Sequence, residues 1–262
     1  MNALPVVALS VVIPTYNEAE NIPILLQQLS WVEEILVVDS FSTDATPKLI
    51  EEYGATLLER PCDTLGKQKN WAIEQAKHPW VLILDADERL TPPLIEEIKG
   101  IVAEDDQSYA GYEIYRQNYF MGQAISYGGL QRDKVIRLIQ RGRCAYDHKQ
   151  VHESIRTTEK VGQLKHKLLH YTYKNLQHFV QKNERYAIWS AQDHQQRVPK
   201  VGYFHLLVKP IGRFLTQYFL KRGFLDGKAG LIFCAVSSWA VFLRYAHLKD
   251  QEVQTSKTLN TK

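Results

Sequence analysis

The chain has 262 residues, of which 45% are hydrophobic, 11% aromatic and 23% charged. This composition excludes a disordered or fibrous protein, because it supplies enough apolar surface to offset the entropy that the chain loses on folding. The length suits one domain of about 200 residues with an appendage. Three scattered cysteines without metal-site spacing favour a reducing compartment over a disulfide framework.

The net charge of +3 conceals a polarity along the chain. Residues 1–159 contain 15 Lys and Arg against 24 Asp and Glu, whereas residues 160–262 contain 17 against 5. The basic second part indicates an anionic partner, either nucleic acid or anionic lipid, or else a solvated basic surface. The first ten residues do not resemble a signal peptide. No run reaches roughly 18 uncharged apolar residues, so no bilayer-spanning helix is expected and a cytoplasmic protein is predicted.

Strand and helix patterns alternate through the first hundred residues. Short β-branched runs at 9–13, 35–38, 55–58 and 80–84 predict strands, and helical spacing predicts helices at 21–29, 46–53 and 66–77. This alternation requires a parallel sheet with helices on both faces. Beyond residue 109, alternating segments at 112–116 and 135–139 predict a mixed-sheet half, and helical patterns follow at 173–196 and 203–247. We therefore predict an α/β domain at 1–172, a basic and aromatic helical region at 173–250 and a polar tail at 251–262.

Polar residues fall where the predicted parallel strands end, which is where such sheets bind ligands. Asp85-Ala86-Asp87 follows the fourth strand, and two carboxylates at this spacing can hold a divalent cation that bridges phosphate oxygens. The alternative is that these residues cap the helix that begins near Thr91. Asp39 ends the second strand and can accept from a nucleobase or ribose, whereas Asp44 is expected to cap the next helix.

A third group of candidates lies before and within the helix predicted at 66–77. Gly66, Lys67 and Lys69 stand at the start of this helix, where lysines and free amides favour phosphate. Arg60 ends the third strand and adds a second phosphate contact. This segment is not a P-loop, because it lacks the second glycine and the Ser or Thr of that motif.

Two carboxylates farther on are candidate general bases for an incoming hydroxyl. Asp133 immediately precedes the strand at 135–139, and Glu153 lies in the run Val151-His-Glu-Ser154. His152 is a candidate metal ligand, with a structural histidine as the alternative, and His170 is a weaker candidate of the same kind.

The basic tail alternates lysines and arginines with aromatic residues. Residues 229–243 carry no charge, which is too short a run to cross a bilayer but long enough for a helix in the headgroup region. Basic residues beside aromatic ones favour an anionic membrane surface. A buried helical hairpin and an oligomer contact are the alternatives.

Taken together, the motifs Ser10-Val-Val-Ile-Pro-Thr-Tyr-Asn-Glu18, Val37-Val-Asp-Ser-Phe-Ser-Thr-Asp-Ala-Thr46 and Leu84-Asp-Ala-Asp87 resemble the family 2 inverting glycosyltransferases of the GT-A fold. The resemblance covers at least residues 9–155. The later runs at 127–129, 132–138, 151–153 and 223–227 are similar to a narrower group, the bacterial lipopolysaccharide inner-core β-1,4-glucosyltransferases, which act on the first heptose. The chain lacks the aromatic and proline residues that often precede the aspartate in that group, and it has Arg132-Asp133 where the family has a Glu-Asp pair.

The resemblance implies a GT-A fold in which Pro14 to Glu18 and Asp39 embrace the nucleoside and Asp87 contacts the metal. It implies that Asp133 is the first choice of base, with Glu153 as the second. The full set of predicted donor-binding residues is Pro14, Thr15, Tyr16, Asn17, Glu18, Asp39, Ser40, Arg60, Gly66, Lys67, Lys69, Asp85 and Ala86, and the predicted metal ligands are Asp85, Asp87 and His152.

The expected activity is the metal-dependent transfer of a hexose from a UDP-sugar, with inversion, and glucose is the preferred sugar. The expected acceptor is a lipid-linked saccharide, and the heptose of the lipopolysaccharide inner core is the preferred one. The expected cofactor is Mg²⁺ or Mn²⁺, and the expected location is the inner face of the bacterial inner membrane, on its anionic surface. No nucleic-acid partner is expected. The alternatives are a sugar-nucleotidyltransferase, which would carry a glycine-rich N-terminal loop, and a glycosyltransferase acting on another envelope polysaccharide or lipid carrier. A phosphatase and a nucleic-acid-binding module fit the motifs less well.

Overall fold

The structure is a computed structural model that describes residues 6–147, 154–173, 175–194, 198 and 200–260. The chain packs as two compact units. The first consists of Met1–Gln117 with Lys134–His170, and the second of Asn118–Asp133 with Tyr171–Lys262. The second unit therefore includes a segment, residues 118–133, that the sequence analysis had assigned to the domain at 1–172.

The strands, in chain order, are β1 Val7–Thr15, β2 Val32–Asp39, β3 Thr56–Glu59, β4 Trp80–Ile83, β5 Glu88–Arg89, β6 Gly111–Phe120, β7 Gln123–Ile125, β8 Lys134–Gln140, β9 Ala145–Tyr146, β10 Ile155–Arg156, β11 Val161–Gln163 and β12 Leu168–His170. The α-helices are α1 Ile22–Gln27, α2 Thr46–Glu52, α3 Leu65–Gln75, α4 Pro92–Glu104, α5 Leu176–His194, α6 Lys209–Leu215 and α7 Gly227–Asn260. Two π-helical segments flank α6, at Phe204–Val208 and Thr216–Leu220, and a 3₁₀ turn occupies Gly223–Asp226.

The main sheet of the first unit runs in the order β3-β2-β1-β4-β8-β6. The first four of these strands are parallel, as the sequence predicted, and β8 and β6 add antiparallel pairs. Thr15 at the end of β1 pairs with Asp39 at the end of β2, and Val12 pairs with Ile83 at the end of β4. Consequently the polar residues that follow these strands emerge at one edge of the sheet.

Two apolar cores cover the two faces of this sheet, because successive side chains of a strand point to opposite sides. Val11 belongs to the core that α1 and α4 cover with Leu25 and Ile98. Val12 belongs to the core that α3 covers with Ala72. Burial on both faces explains why these strands read as continuous apolar runs in the sequence.

The second unit is mainly helical and has an aromatic core. The end of β6 forms a hairpin with β7, and Phe120 from this hairpin packs against Phe179 of α5 and Phe233 of α7. The rings of Phe179 and Phe233 stack with centroids 5.3 Å apart. Helix α7 passes so close to the 3₁₀ turn that a Cβ atom on Gly230 would lie 2.1 Å from the carbonyl oxygen of Gly223.

Among the described residues, one helical stretch, Gly223–Gln254, is long and apolar enough to cross a membrane by length and composition alone. The sequence analysis had counted only uncharged runs, and the longest one within this stretch, residues 229–243, lies between Lys228 and Arg244. The stretch also contains Asp226, Lys249, Asp250 and Glu252.

Candidate active site

The carboxyl ends of β1 and β2 are joined by hydrogen bonds through Asp39. Asp39 is completely buried, and its carboxylate accepts from the backbone N–H and the hydroxyl of Ser42, at 2.6 and 2.5 Å. The Ser42 hydroxyl oxygen also accepts from the backbone N–H of Asn17, at 2.7 Å. Asp39 thus shapes the turn that follows both strands. Its burial gives no support to the predicted direct contact with a nucleoside.

The residues after β1 are ordered by short polar contacts. The Glu18 carboxylate accepts from the side-chain amide of Asn21 at 2.7 Å, and the Asn21 amide oxygen accepts from Arg89 at 2.6 Å. Tyr16 holds an exposed ring at the same edge. Asp44 accepts from the backbone N–H of Thr46, the first residue of α2, but the N-cap position of this helix is occupied by Ala45 and not by Asp44.

Two cations hold Asp85 just beyond the end of β4. Lys69 Nζ lies 3.1 Å from Oδ1 of Asp85, and the guanidinium of Arg137 contacts Oδ2. Arg137 also lies 2.6 Å from Oε1 of Glu88, and Arg116 lies 3.7 Å from the same oxygen. Both carboxylate oxygens of Asp85 face cations already, so its predicted role as a metal ligand finds no support in this arrangement.

The surroundings of Asp85 and Arg137 shift the pKa of each toward its charged form. Burial opposes the ionisation of Asp85, yet the positive charges of Arg137 and Lys69 hold the pKa of its carboxyl well below the ordinary value. Burial also opposes the charge of Arg137, yet Asp85 and Glu88 hold its pKa well above the ordinary value. Asp85 and Glu88 therefore face the cations Lys69, Arg137 and Arg116, and Asp87 adds a third carboxylate to the same turn, so the formal charges balance.

Sequence reasoning missed Arg137, although the sequence contains a signal for it. Arg137 stands in the middle of the apolar run Val135-Ile-Arg-Leu-Ile139 and is 3% exposed. A charged residue within a buried strand requires an opposite charge nearby, because an unpaired buried charge is too costly. Its partners, Asp85 and Glu88, lie about fifty residues earlier and become neighbours because β8 pairs with β4.

Asp87 meets a histidine that the sequence ranked low. His170 Nε2 lies 3.5 Å from Oδ1 of Asp87, because β12 pairs with β5 and sets His170 opposite Glu88. A carboxylate oxygen and an imidazole nitrogen suit Mn²⁺, with the remaining positions left to phosphate oxygens and water. No cluster of three His, Cys, Asp or Glu that could hold a metal occurs within the described part of the chain. The predicted ligand His152 lies outside the described residues.

The segment before and within α3 forms hydrogen bonds with the residues that follow β2 and β3. Thr64 caps α3, and the amide nitrogen of Gln68 donates to Ser40 Oγ at 2.9 Å and to the carbonyl oxygen of Arg60 at 3.2 Å. The Arg60 guanidinium stacks on the Trp71 ring at 4.8 Å. Of the predicted phosphate-binding residues, Lys69 points to Asp85, while the roles of Gly66 and Lys67 stay predictions.

Two buried polar atoms at these strand ends have no hydrogen-bond partner: Thr15 Oγ1 and Gln68 Oε1. They flank Ser40, whose backbone N–H donates to the carbonyl oxygen of Thr15 and whose hydroxyl accepts from Gln68. Buried polar atoms are nearly always paired, so an unpaired couple marks a place where water or a ligand is expected.

The second unit contains the first-choice base. Oδ2 of Asp133 accepts from the side-chain amide of Asn118 at 2.7 Å, and the amide oxygen of Asn118 lies 3.3 Å from the Thr172 hydroxyl that donates to it. This amide fixes one carboxylate oxygen of Asp133. The second-choice base, Glu153, lies outside the described residues.

Comparison with known proteins decides the family. Residues 10–156 match the sequence profile of Glycosyl transferase family 2. The chain belongs to glycosyl transferase family 2. Membership confirms the resemblance drawn from the motifs at 10–18, 37–46 and 84–87, and together with the order of parallel and antiparallel strands it identifies a GT-A fold.

The matching proteins are bacterial. This family 2 chain is 28% identical over 257 residues to the lipopolysaccharide core biosynthesis glycosyltransferase LpsC of Rhizobium meliloti (strain 1021), covering 93% of this chain and 95% of LpsC. It is 26% identical over 264 residues to the uncharacterized glycosyltransferase RP128 of Rickettsia prowazekii (strain Madrid E), covering 97% and 90%. The structural alignment with S. aureus TarS 1–349 in complex with UDP covers 97% of this chain and 92% of the TarS chain, with a TM-score of 0.49 and 15% sequence identity. The chain is a family 2 glycosyltransferase related to a lipopolysaccharide core enzyme.

Proposed function

We propose that this glycosyltransferase moves a hexose, glucose by preference, from a UDP-sugar to a saccharide hydroxyl of a lipid-linked acceptor, with inversion at the anomeric carbon. The observation that carries the donor site is the set of charges after β4, where Asp85 is held by Lys69 and Arg137, and Asp87 faces His170. The cationic groups of Lys69 and Arg137 there can attract the oxygens of a diphosphate. The similarity to LpsC along nearly the whole chain supports an acceptor of the lipopolysaccharide core.

The nucleoside part of the donor would lie at the ends of β1 and β2. Thr15 Oγ1 and Gln68 Oε1 are unpaired there and can hydrogen-bond a ribose or a base. The exposed ring of Tyr16 offers a stacking surface beside them. Asp39 acts as a positioning residue: it accepts a hydrogen bond from Ser42, and the Ser42 hydroxyl in turn accepts from the backbone N–H of Asn17.

The residues suited to a divalent cation are Asp87 and His170. When bound there, Mg²⁺ or Mn²⁺ would neutralise negative charge on the diphosphate. Lys69 and Arg137 fix the neighbouring Asp85 in its ionised form, so the chain itself adds a rigid electrostatic environment to the leaving group.

The transfer needs a base but no protein nucleophile. Asp133, or Glu153 as the second choice, takes the proton from the acceptor hydroxyl, and the hydroxyl oxygen forms a bond to the anomeric carbon as the bond to the diphosphate oxygen breaks. The electron pair of the broken bond leaves with UDP. Attack from the face opposite the diphosphate inverts the configuration. Asn118 donates to one oxygen of Asp133 and so orients the carboxylate.

The lipid-linked acceptor implies a place of action. We propose that the chain works at the inner face of the bacterial inner membrane, bound to its anionic surface by the basic and aromatic region after residue 200. The family match supports glycosyl transfer over nucleotidyl transfer, because the profile covers the strand-end residues. A lipid-carrier or other envelope acceptor would be revealed by comparing transfer to heptose-containing core lipid with transfer to polyprenyl phosphate.

Donor binding is tested by the shift in Tm caused by UDP-, GDP- and ADP-sugars with and without Mn²⁺, since a ligand that binds only the folded state raises Tm. We expect a Mn²⁺-dependent upshift for UDP-hexoses alone. Asp87→Asn and His170→Ala should abolish the Mn²⁺-dependent part. His78→Ala is the matched control, because His78 also faces a carboxylate, at 3.3 Å, yet it precedes β4 and so lies away from the carboxyl ends of the strands. No shift with any nucleotide sugar would overturn the donor assignment.

The base is tested with Asp133→Asn and Glu153→Gln, each assayed for transfer and for the UDP-hexose shift in Tm. The variant that removes the base should keep the shift and lose transfer by about 10²–10⁴-fold, the usual contribution of a general base. If both variants keep full turnover, neither carboxylate is the base.

A further inference from the structure

A continuous helical segment of the second unit, residues 203–220, exposes an apolar stripe to solvent. Every fourth residue along it is apolar and at least 47% exposed: Tyr203, Leu207, Ile211, Leu215 and Phe219. Phe204 and Val208 are more than half exposed beside them. Soluble proteins seldom expose a contiguous apolar surface of this kind unless it binds something.

The π-helical turns explain why the stripe stays on one side. Apolar residues at a strict spacing of four would wind around an α-helix, which has 3.6 residues in each turn. The segments Phe204–Val208 and Thr216–Leu220 form i→i+5 bonds, which put more residues into a turn. The mixture of π and α turns therefore matches a period of four. The other side of the segment packs on α7, where Ser238 Oγ donates to the carbonyl oxygen of Pro210 at 2.6 Å and Lys209 Nζ lies 2.8 Å from the Tyr245 hydroxyl.

The charges around the stripe are mainly positive. From 200 to 252 the sequence contains the basic residues Lys200, Lys209, Arg213, Lys221, Arg222, Lys228, Arg244 and Lys249 and the acidic residues Asp226, Asp250 and Glu252. Asp226 is buried and is used internally, and Glu252 accepts from the backbone N–H of Val201 and pairs with Lys249. An exposed apolar stripe with an excess of basic neighbours matches an anionic bilayer, whose headgroups attract lysine and arginine while its interior takes up apolar side chains.

The end of this segment is tied to the loop that ends at Asp133. The buried carboxylate of Asp226 accepts from the backbone N–H groups of Ser126 and Tyr127, at 3.1 and 2.8 Å. The Lys221 carbonyl oxygen accepts from the backbone N–H of Gly128 at 3.0 Å and from the side chain of Gln131 at 2.7 Å. The 126–133 loop is therefore held by residues 221–226, immediately after the stripe.

We propose that the stripe from Tyr203 to Phe219 docks onto an anionic phospholipid bilayer, and that residues 221–226 thereby hold the 126–133 loop, with Asp133, at the bilayer surface. The docking step rests only on the stripe and its charges. The consequence for the acceptor rests on the proposed function, since it requires that Asp133 meets a lipid-borne hydroxyl.

The test uses the full chain and sedimentation with vesicles of phosphatidylglycerol and phosphatidylcholine, or of phosphatidylcholine alone, with no nucleotide sugar present. We expect binding to the anionic vesicles only, partly released by salt. The double variant Ile211→Glu/Leu215→Glu should bind at least about tenfold more weakly, because it loses apolar burial and adds like charge to the lipid. Ile24→Glu is the matched control, since Ile24 is 51% exposed on α1 against 57% for Ile211.

Equal binding to both vesicle types, or unchanged binding of the double variant, would overturn the proposal. A dimer of the wild-type chain that the double variant converts to monomer, without vesicle binding, would assign the stripe to a second copy instead. Resistance of the bound chain to alkaline carbonate extraction would indicate a spanning helix and would equally refute surface docking. Turnover separates this proposal from the proposed function: the double variant should keep the UDP-hexose shift in Tm and lose transfer only to vesicle-borne acceptor.

Discussion

Arg137 links the antiparallel strand β8 to the acidic turn after β4, beside the proposed donor site. Its guanidinium contacts Asp85 and Glu88, and the residue is only 3% exposed. A buried ion pair adds little net stability compared with apolar packing, but removing one partner leaves the other charge unpaired. Substitution of Arg137 should therefore lower the stability of the chain as well as its activity.

We predict that Arg137→Met lowers the free energy of unfolding by about 3–5 kcal/mol, because Asp85 and Glu88 would remain buried with too little positive charge. The measurement is urea unfolding at neutral pH. In Arg156→Met, which removes an exposed pair with Asp147, the change should stay within about 1 kcal/mol. Equal effects of the two substitutions would contradict the buried network.

At the same scale, the sequence located some site residues and not others for a physical reason. Asp85 and Asp87 could be found because they follow an apolar strand directly. His170 could only be ranked low, since its closeness to Asp87 depends on the pairing of β12 with β5, more than eighty residues apart. The direct contact of Asp39 with a nucleoside stays a prediction, and its burial to 0% exposure could not be predicted because burial depends on the packed chain and not on the local sequence.

At the scale of elements, Glu34 links β1, β2 and the segment before β4. Its carboxylate accepts from Ser10 Oγ at 2.6 Å and from the backbone N–H of Lys77 at 2.7 Å, while the Ser10 oxygen also accepts from the backbone N–H of His78 at 3.1 Å. Burial raises the pKa of Glu34, but these hydrogen bonds and the charge of Lys77 outweigh it, so that the pKa is lowered in the folded chain.

The lowered pKa of Glu34 makes part of the stability pH-dependent. The contribution is present above the unfolded-state value of about 4.3 and is lost as the pH falls through the lower folded value. Glu34→Gln should cost about 1–2 kcal/mol at neutral pH and progressively less below about pH 4, in urea unfolding measured across that range. Glu52→Gln, at an exposed pair with Lys48, should change stability by no more than about 0.5 kcal/mol at any pH. If the difference in the free energy of unfolding between Glu34→Gln and the wild type did not change with pH, the lowered pKa of Glu34 would not contribute to stability.

The first turn of α7 lies close to the 3₁₀ turn that directly precedes it, and Gly223 and Gly230 meet at this point. We predict that Gly230→Ala destabilises by about 1–3 kcal/mol or more, because the new Cβ would meet the Gly223 carbonyl oxygen. Gly212→Ala is the control in the same unit: it lies in α6 with nothing within 4 Å and should stabilise by about 0.5–1 kcal/mol. Thermal unfolding measures both, and similar shifts in Tm would show that the close approach is not required.

The strands β1 to β4, β6 and β8 and several of the helices were predicted within a few residues, whereas the short strands β5, β7 and β9 to β12 were not predicted. The strand predicted at 55–58 is found at Thr56–Glu59, and the helix predicted at 66–77 is found at Leu65–Gln75. The local pattern of apolar residues was sufficient to find them. Helices cover both faces of the sheet, so its parallel strands contain continuous apolar runs in the sequence. The π-helical turns were not predicted, since their hydrogen bonds leave no composition signal that differs from an α-helix.

At the scale of the whole molecule, the sequence showed the change of charge along the chain but not the grouping of its parts. Residues 118–133 lie between two strands of the first unit in sequence, yet they pack in the second, where Phe120 and Ile125 join the aromatic core. This grouping follows from tertiary contacts between segments a hundred residues apart, such as Gln123 with Asp226. Local patterns carry no information about it.

The period of four between Tyr203 and Phe219 has a consequence for how this chain can vary over evolution. A point substitution at one of these positions changes a single side chain, but the insertion or loss of one residue would rotate everything beyond it by about 100°. Phe219 would then leave the row that Tyr203 begins, and the hold of Lys221 on Gly128 would be displaced with it. Related chains that keep this arrangement should therefore tolerate changes of residue type along 203–220 far better than changes of length.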